Sequence, residues 1–169
     1  EDFGLLVSLV ALNLPDKLDQ QLLISTFQPE FDYTDPASFA PHLGSNQQVL
    51  LQEGIGDDAV TNLATRELAR QLGVPGLDLE QPVYGITAAA APLPSAYTQY
   101  DITPTPLPPV GDVPPSGDNG VHGTIRELAP AEQQIKAFLT PGGTVTDVCG
   151  GSACVCDAAA GTCSLGSGM

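Results

Sequence analysis

The sequence predicts an α/β fold with short parallel strands, followed by a disulfide-rich tail. The first observation is a strand, acidic loop and helix in succession between residues 47 and 72. The second is another strand candidate at Ala96–Thr103, which can lie parallel to the first. The third is that every cysteine lies after residue 148. We therefore divide the chain into a helical, cap-like and connecting segment at 1–45, an α/β core at 46–145 and a cysteine-rich tail at 146–169.

The N-terminal segment contains two helix candidates. They are Phe3–Asn13 and Asp16–Ser25, and Pro15 separates them. We interpret Thr26–Ser45, which contains several prolines and scattered aromatic residues, as a packed connecting loop. The longest apolar run, Leu5 to Leu14, is about half the length that a bilayer requires, so we predict no transmembrane segment.

The core segment begins with a short apolar run at Gln47–Gln52, which suits a buried parallel strand. A glycine-rich loop carrying Asp57 and Asp58 follows it. From residue 61 or 62 to Leu72 the apolar residues recur at helical spacing, and Gly73 is placed to end that helix. The pattern is typical of a βα unit.

After the second strand candidate, the chain passes through a proline-rich stretch, Thr103–Asn119, which is predicted to be extended or irregular. The stretch leads into a loop, Gly120-Val121-His122-Gly123. A last helical pattern restarts at Ala129-Pro130 and ends before Pro141-Gly142-Gly143.

The charge of the chain restricts its partners. Twenty acidic residues face five basic ones, for a net charge of −15. Because this charge repels phosphates and anionic lipid surfaces, we predict that nucleic acid is not a partner. The acidic residues are spread along the chain, which is typical of a solvated surface.

The cysteines favour disulfides over zinc. An even number of cysteines in a short segment rich in Gly, Ala and Ser predicts two disulfides, with three pairings left open. Zinc knuckles use paired C-x-x-C steps, which this segment lacks. Disulfides imply an oxidising location: the medium, the cell surface or the periplasm. The four candidates are Cys149, Cys154, Cys156 and Cys163.

Two residues have the chemistry of an acid–base pair. In open α/β sheets, reactive side chains follow the carboxyl ends of strands, where Asp57 stands. An acid that accepts a hydrogen bond from histidine Nδ1 fixes the imidazole tautomer, and His122 can be its partner. In the structural alternative Asp57 or Asp58 caps the following helix, and His122 is a surface residue or one whose polar atoms are satisfied structurally. We interpret His42, which follows a proline, in that same structural way.

A calcium site is a weaker hypothesis. Asp112, Asp118 and Asn119 carry suitable oxygens, but their spacing does not match a calcium-binding loop. We predict no metal ion and no organic cofactor.

The segment from Val49 to Asn62, VLLQEGIGDDAVTN, together with Ala64-Thr65 and Leu68-Ala69-Arg70 after it, resembles the seventh strand, acid turn and following helix of α/β-hydrolases. Residues 120–123 resemble the histidine loop of that family, and the resemblance covers roughly residues 30–140. It implies that Asp57, three residues before Val60, is the triad acid and His122 the triad base. The core at 46–145 would then be the C-terminal part of an α/β-hydrolase fold, comprising its last parallel strands and helices.

The nucleophile motif of that family, Gly-x-Ser-x-Gly, is not present. Ser152 comes closest, but Cys154 stands where the second glycine belongs, and Ser152 follows the histidine. The resemblance implies a secreted lipase or esterase that acts on a small ester or lipid. Because this chain lacks the nucleophile motif, its serine would come from a nucleophile-bearing N-terminal portion of the same precursor or from a partner chain. The alternative is a noncatalytic, acidic, disulfide-stapled secreted interaction module.

Overall fold

The computed structural model describes residues 2–43, 46–105 and 117–164. The chain divides into two compact units, one ending at Phe39 and the other beginning at Ala40. Within the described residues, no helix has both the length and the apolar character needed to cross a membrane.

The first unit is helical. Helix α1 spans Asp2–Asn13, α2 spans Lys17–Asp32 and α3 spans Pro36–Phe39. The side chain of Asp16 caps α2 by accepting hydrogen bonds from the backbone N–H groups of residues 18 and 19. Gln20 is buried and donates from Nε2 to the carbonyl of Leu14 at 2.6 Å, which fixes the turn between α1 and α2.

The two predicted helices are confirmed, but the loop predicted for Thr26–Ser45 is wrong in most of its length. Helix α2 continues through Pro29, where the helix lacks one backbone hydrogen bond because proline has no N–H group. Asp35 starts α3 by accepting a hydrogen bond from the backbone of Ala37, and Pro36 takes the first helical position, where its missing N–H costs nothing. A 3-10 turn, Ala40–His42, opens the second unit.

The second unit is built on a five-stranded, mostly parallel sheet. Strand β3 lies at its centre and pairs in parallel with β1 along one edge. Strands β2 and β4 share the other edge of β3, both parallel to it, and β5 pairs antiparallel with β4. The strands are β1 Leu50–Ile55, β2 Gly76–Leu77, β3 Ala96–Thr103, β4 Cys154–Asp157 and β5 Thr162–Ser164.

The α/β class with a mostly parallel sheet is confirmed, with changes in its extent. Strand β3 has the predicted bounds, whereas β1 lies three residues later than predicted, because its pairing with β3 continues through Gly54 and Ile55. The sequence did not reveal β2, which is only two residues long. It also did not reveal that the cysteine-rich tail adds two strands to the sheet.

Helices cover both faces of this sheet, as expected where parallel strands are buried. Helix α4, Asn62–Leu72, packs Ala69 against Tyr97 on one face, and Gly73 ends it in the left-handed conformation. Helices α5, Val121–Thr124, and α6, Ala129–Phe138, lie on the other face against Tyr100. The predicted histidine loop is therefore the short helix α5.

Two disulfides lie within the cysteine-rich tail. Cys149 pairs with Cys154, and Cys156 pairs with Cys163. The predicted disulfides are therefore present, and no thiol among the four is left to bind zinc. Three of the sulfur-bearing side chains are buried in the core beneath α5 and α6. Such bonds persist in an oxidising compartment.

Candidate functional site

The structure brings Asp57 and His122 together, although 65 positions separate them in the chain. Asp57 lies in the loop that follows β1, at the carboxyl end of the parallel strands, and His122 lies in α5. Asp57 Oδ2 and His122 Nδ1 are 2.9 Å apart, which is a hydrogen-bond distance.

The loop holds the Asp57 carboxylate in a fixed direction. Its Oδ1 accepts hydrogen bonds from the backbone N–H groups of Ala59 at 2.8 Å and Val60 at 2.9 Å. Its Oδ2 is then left to face the imidazole. The Asp57 side chain is 9% exposed and the His122 side chain 38% exposed, so the imidazole separates the carboxylate from solvent.

This contact defines the tautomer of His122. A carboxylate can only accept hydrogen bonds, so Nδ1 of His122 carries the hydrogen and donates it to Asp57. In the neutral ring, Nε2 then has a free lone pair. Nε2 makes no hydrogen bond within the described part of the chain, and it can accept a proton from a hydroxyl group or a water molecule that lies within hydrogen-bond distance of it.

Two asparagines clamp the loop that presents Asp57. Asn62 accepts a hydrogen bond from Gly56 N at 2.8 Å and donates one to Gly54 O at 2.7 Å. Asn119, just before α5, donates from Nδ2 to Gly56 O at 2.8 Å and accepts from Val121 N through Oδ1 at 3.1 Å. Asn119 therefore ties the acid loop to the helix that carries the histidine.

Glycines allow this close approach. A Cβ added to Gly54 of β1 would lie 2.8 Å from a methyl group of Val121, so only a glycine lets α5 pack this close to the strand. Gly120 precedes α5 with φ of 79°, a left-handed conformation that glycine adopts without strain. Together they set the position of His122 relative to the end of β1.

A small cleft of about 220 Å³ adjoins the pair. Glu53 also lines it, but this carboxylate is already neutralised: Arg66 donates to it from Nη2 at 2.8 Å and from Nε at 3.1 Å. Hydrogen bonding to Glu53 raises the pKa of Arg66. The described residues that line the cleft are Gln52, Glu53, Gly54, Asp57, Val60, Asn62, Thr65, His122, Ile125 and Arg126.

A second and larger cleft, of about 590 Å³, lies beside β2. It contains a pair of carboxyl groups, Asp78 directly after β2 and Asp147 from the segment that follows α6. Burial and the neighbouring Asp147 raise the pKa of Asp78 to about 7. No histidine lines this cleft in the described chain, so it lacks the acid–imidazole contact of the first.

The other residues considered in the sequence lie elsewhere. Asp58 accepts a hydrogen bond from Asn119 N at 3.2 Å and does not contact His122. His42 is exposed at the end of the 3-10 turn. Ser152 is half-buried in the loop that the Cys149–Cys154 disulfide closes, and it is not among the described residues lining the His122 cleft.

The residues of the calcium hypothesis do not form a cluster in the described structure. Asp118 Oδ1 accepts a hydrogen bond from Gly120 N, and both side-chain polar atoms of Asn119 are engaged with backbone groups. Asp112 lies outside the described residues. Within those residues, no group of three or more His, Cys, Asp or Glu side chains is placed to hold a metal ion.

Three residues of this site were not predicted in the roles that they have here: the clamps Asn62 and Asn119, the second of which was considered only as a calcium ligand, and the cleft residue Arg126. Asn62 lies within the stretch that carries the family resemblance, but the other two have no motif that marks them. The assembled site pairs a carboxylate with an imidazole that lines a cleft, and the Nε2 atom of this imidazole has no hydrogen-bond partner among the described residues. No family model, curated protein or solved structure matches this chain.

Proposed function

We propose that this chain is the C-terminal part of a secreted serine hydrolase of the α/β-hydrolase type, which cleaves carboxylic esters. In this proposal Asp57 is the triad acid and His122 the general base. The nucleophilic serine belongs to a preceding portion of the same precursor or to a partner chain. No metal ion or organic cofactor takes part.

The observation that carries the proposal is the contact between Asp57 and His122 at the carboxyl end of the parallel strands. Hydrogen bonding by Asp57 fixes the imidazole with Nε2 free, which is the state a general base requires. The acid precedes the histidine in the chain, which is the order found in α/β-hydrolases. The disulfides support secretion, because they need an oxidising compartment.

The proposed reaction has two half-reactions. Nε2 of His122 takes the serine proton as the serine oxygen bonds to the ester carbonyl carbon, and Asp57 stabilises the imidazolium that forms. Nε2–H then protonates the leaving alcohol as the carbon–oxygen bond breaks. A water molecule attacks the acyl-enzyme in the same way, with His122 taking its proton and returning it to the serine, and the carboxylic acid leaves.

A noncatalytic interaction module is the second candidate. One observation favours it: no serine lies among the described residues that line the cleft, where Thr65 is the only hydroxyl side chain. In such a module the Asp57–His122 contact would stabilise the fold by joining the β1 loop to α5. The acidic surface and the disulfides fit both candidates.

Labelling of the native protein with a fluorophosphonate, which reacts with activated serines, separates the two candidates. We expect intact-mass analysis of the preparation to show a second chain or a longer precursor, and we expect that species to carry the label. A His122→Ala precursor should lose the label, while His42→Ala should keep it. A preparation of this chain alone that takes no label, and no longer species in the source, would support the noncatalytic module.

A further inference from the structure

Arg126 differs from the other basic residues of the chain. The chain has five Lys and Arg residues, all within the described ranges. Four of them hydrogen-bond to a side chain, whereas Arg126 is exposed and makes no hydrogen bond or ion pair with any described residue. The four pairs are Lys17–Gln20, Arg66–Glu53, Arg70–Glu67 and Lys136–Glu132. In a chain with a net charge of −15, an unpaired arginine is unusual.

The charges around the His122 cleft leave Arg126 uncompensated. Two carboxylates line the cleft, and each already has its partner: Glu53 is bound by Arg66, and Asp57 is bound by two backbone N–H groups and His122. Asp57 keeps its negative charge, but its side chain is only 9% exposed and both of its oxygens already accept hydrogen bonds, so the guanidinium of Arg126 is the one exposed charge on the cleft wall without a partner among the described residues. The part of the cleft beside Arg126 therefore favours an anion, although the molecule as a whole repels one.

The position of Arg126 relates it to the reacting end of the cleft. Arg126 follows His122 by four residues, and both line the same small space. The cleft, at about 220 Å³, is smaller than the roughly 300–1,000 Å³ of sites for drug-sized ligands. Because the cleft is small and both residues line it, one small ligand bound there can contact His122 and Arg126 together.

We propose that Arg126 binds a carboxylate carried by the substrate, so that the preferred esters are small half-esters in which one carboxyl is esterified and another is free. The guanidinium matches a carboxylate because its N–H groups donate two parallel hydrogen bonds to the two oxygens. This inference rests on the proposed function for its ester, but the anion site itself requires no catalysis.

The test measures binding to this chain by NMR, so it needs no serine. Monomethyl succinate, which has one free carboxylate, is titrated against the isotope-labelled chain, and dimethyl succinate is the neutral probe of nearly equal size. The signals followed are the imidazole carbon-bound hydrogens of His122 and the Nε–H of Arg126. The imidazole of His42, which lies in the 3-10 turn and does not line the cleft, is the reference signal that should not shift.

We expect monomethyl succinate to shift both signals in a saturable way, and dimethyl succinate to bind at least tenfold more weakly. Arg126→Gln should weaken binding of the half-ester by tenfold or more. Arg126→Lys should bind it more weakly than the unsubstituted chain and more tightly than Arg126→Gln, because lysine keeps the charge but loses the planar pair of donors. The matched control is Arg70→Gln, an arginine outside the cleft, which should leave binding unchanged. Because Arg126 is exposed and unpaired, Arg126→Gln should also leave the backbone spectrum unchanged away from the cleft.

Equal binding of the two esters, or half-ester binding that survives Arg126→Gln, would overturn the inference. The result is separate from that of the fluorophosphonate experiment. Arg126-dependent binding without any labelled species would retain the anion site and remove the esterase. Labelling without Arg126-dependent binding would retain the esterase and remove the substrate class.

Discussion

Two aspartates follow parallel strands of the same sheet, and their surroundings differ in almost every respect. Asp57, after β1, receives two backbone N–H groups and the imidazole of His122. Asp78, after β2, accepts no hydrogen bond from a backbone N–H group of the described residues and interacts instead with the carboxyl group of Asp147. Burial and that second carboxyl raise the pKa of Asp78 to about 7. The location at a strand end is shared, so it is the donors around a carboxyl that decide whether it can orient a base.

The two clefts repeat this contrast. The larger one, of about 590 Å³, contains the carboxyl pair, whereas the smaller one, of about 220 Å³, contains the acid and the imidazole. Size alone would favour the larger cleft as the site of function. The chemistry favours the smaller, because only there does a fixed carboxylate leave a proton-accepting nitrogen free.

The strongest test of this contrast is Asp57→Asn. An asparagine amide can donate to Nδ1 and so stabilise the tautomer with hydrogen on Nε2, which cannot accept a proton. If the chain belongs to a serine hydrolase, we expect the turnover number for ester hydrolysis by the complete protein to fall by about 10⁴-fold. Nitrogen-15 NMR of His122 in this chain should show the hydrogen moving from Nδ1 to Nε2.

Asp58→Asn is the matched control for this substitution. Asp58 is the neighbouring carboxylate, and its contact with Asn119 N needs only an acceptor oxygen, which asparagine keeps. The tautomer of His122 should stay unchanged and hydrolysis should fall by less than about tenfold, since no contact with the imidazole is lost. Equal effects of the two substitutions would contradict the assignment of Asp57 as the partner of His122.

The second prediction concerns the clamp that the end of β1 has and the end of β2 lacks. Asn119→Ala removes the hydrogen bonds to Gly56 O and from Val121 N, and it leaves the buried Val121 N–H without a partner. We expect the free energy of unfolding, measured by urea denaturation, to fall by about 2–3 kcal/mol. Asp118→Ala, which removes one exposed hydrogen bond to Gly120 N, should cost about 0.5–1 kcal/mol. Similar losses for the two variants would show that Asn119 does not tie the loops together.

The sequence predicted the frame of this region because its signals are local. An apolar run predicted β1, three residues too early, and a loose alternation of residues predicted β3 with its bounds. Helical spacing and Gly73 gave α4 with its end. The contact between Asp57 and His122 agrees with the pairing that the family resemblance implied, and their catalytic role stays a prediction.

The remaining features depend on contacts between distant segments. Nothing local in β2 or in the Cys154–Asp157 segment distinguishes it from a loop, because each becomes a strand only by pairing with β3. Likewise Asp147, about seventy positions away in the chain, helps to raise the pKa of the Asp78 carboxyl group. Arg126 differs from the other four Lys and Arg residues only in lacking a hydrogen-bond partner among the described residues, and no sequence pattern predicts that difference.

The third prediction is that Asp78, at the end of β2, lowers the free energy of unfolding at high pH. A carboxyl whose pKa is higher in the folded than in the unfolded protein binds more protons when folded, so its ionisation disfavours folding. The contribution of Asp78 to the free energy of unfolding is therefore fully present below about pH 4. It falls as the pH rises toward the folded pKa of about 7 and levels off above that pH.

Asp78→Asn removes this ionisable group and keeps a residue type that tolerates the left-handed φ of 54° found there. Because solvent screens this half-buried carboxyl, we expect a gain of about 1–2 kcal/mol at pH 9 and almost none at pH 4. Thermal melts of both proteins across that range measure the difference. A gain of equal size at both ends of the range would mean that the substitution acts on packing and not on charge.

The smallest effect that we predict comes from Asp147→Asn. It separates the part of the raised pKa of Asp78 that is due to burial from the part that is due to Asp147, through its charge and a side-chain hydrogen bond. Asp147 Oδ1 accepts hydrogen bonds from Cys149 N at 2.9 Å and Gly150 N at 2.7 Å, and an asparagine oxygen can keep both. The substitution therefore removes the charge beside Asp78 and leaves its burial unchanged. Since burial is the larger cause, the pKa of Asp78 should fall only part of the way to its ordinary value.

We expect Asp147→Asn to raise the free energy of unfolding at pH 9 by less than about 1 kcal/mol, which is smaller than the effect of Asp78→Asn. Combining the two substitutions should give no further increase over Asp78→Asn alone, because a neutral residue 78 no longer responds to the charge of residue 147. If the gains of the single variants instead add fully in the double variant, the two carboxyls titrate independently, and the contrast between the two strand ends rests on burial alone.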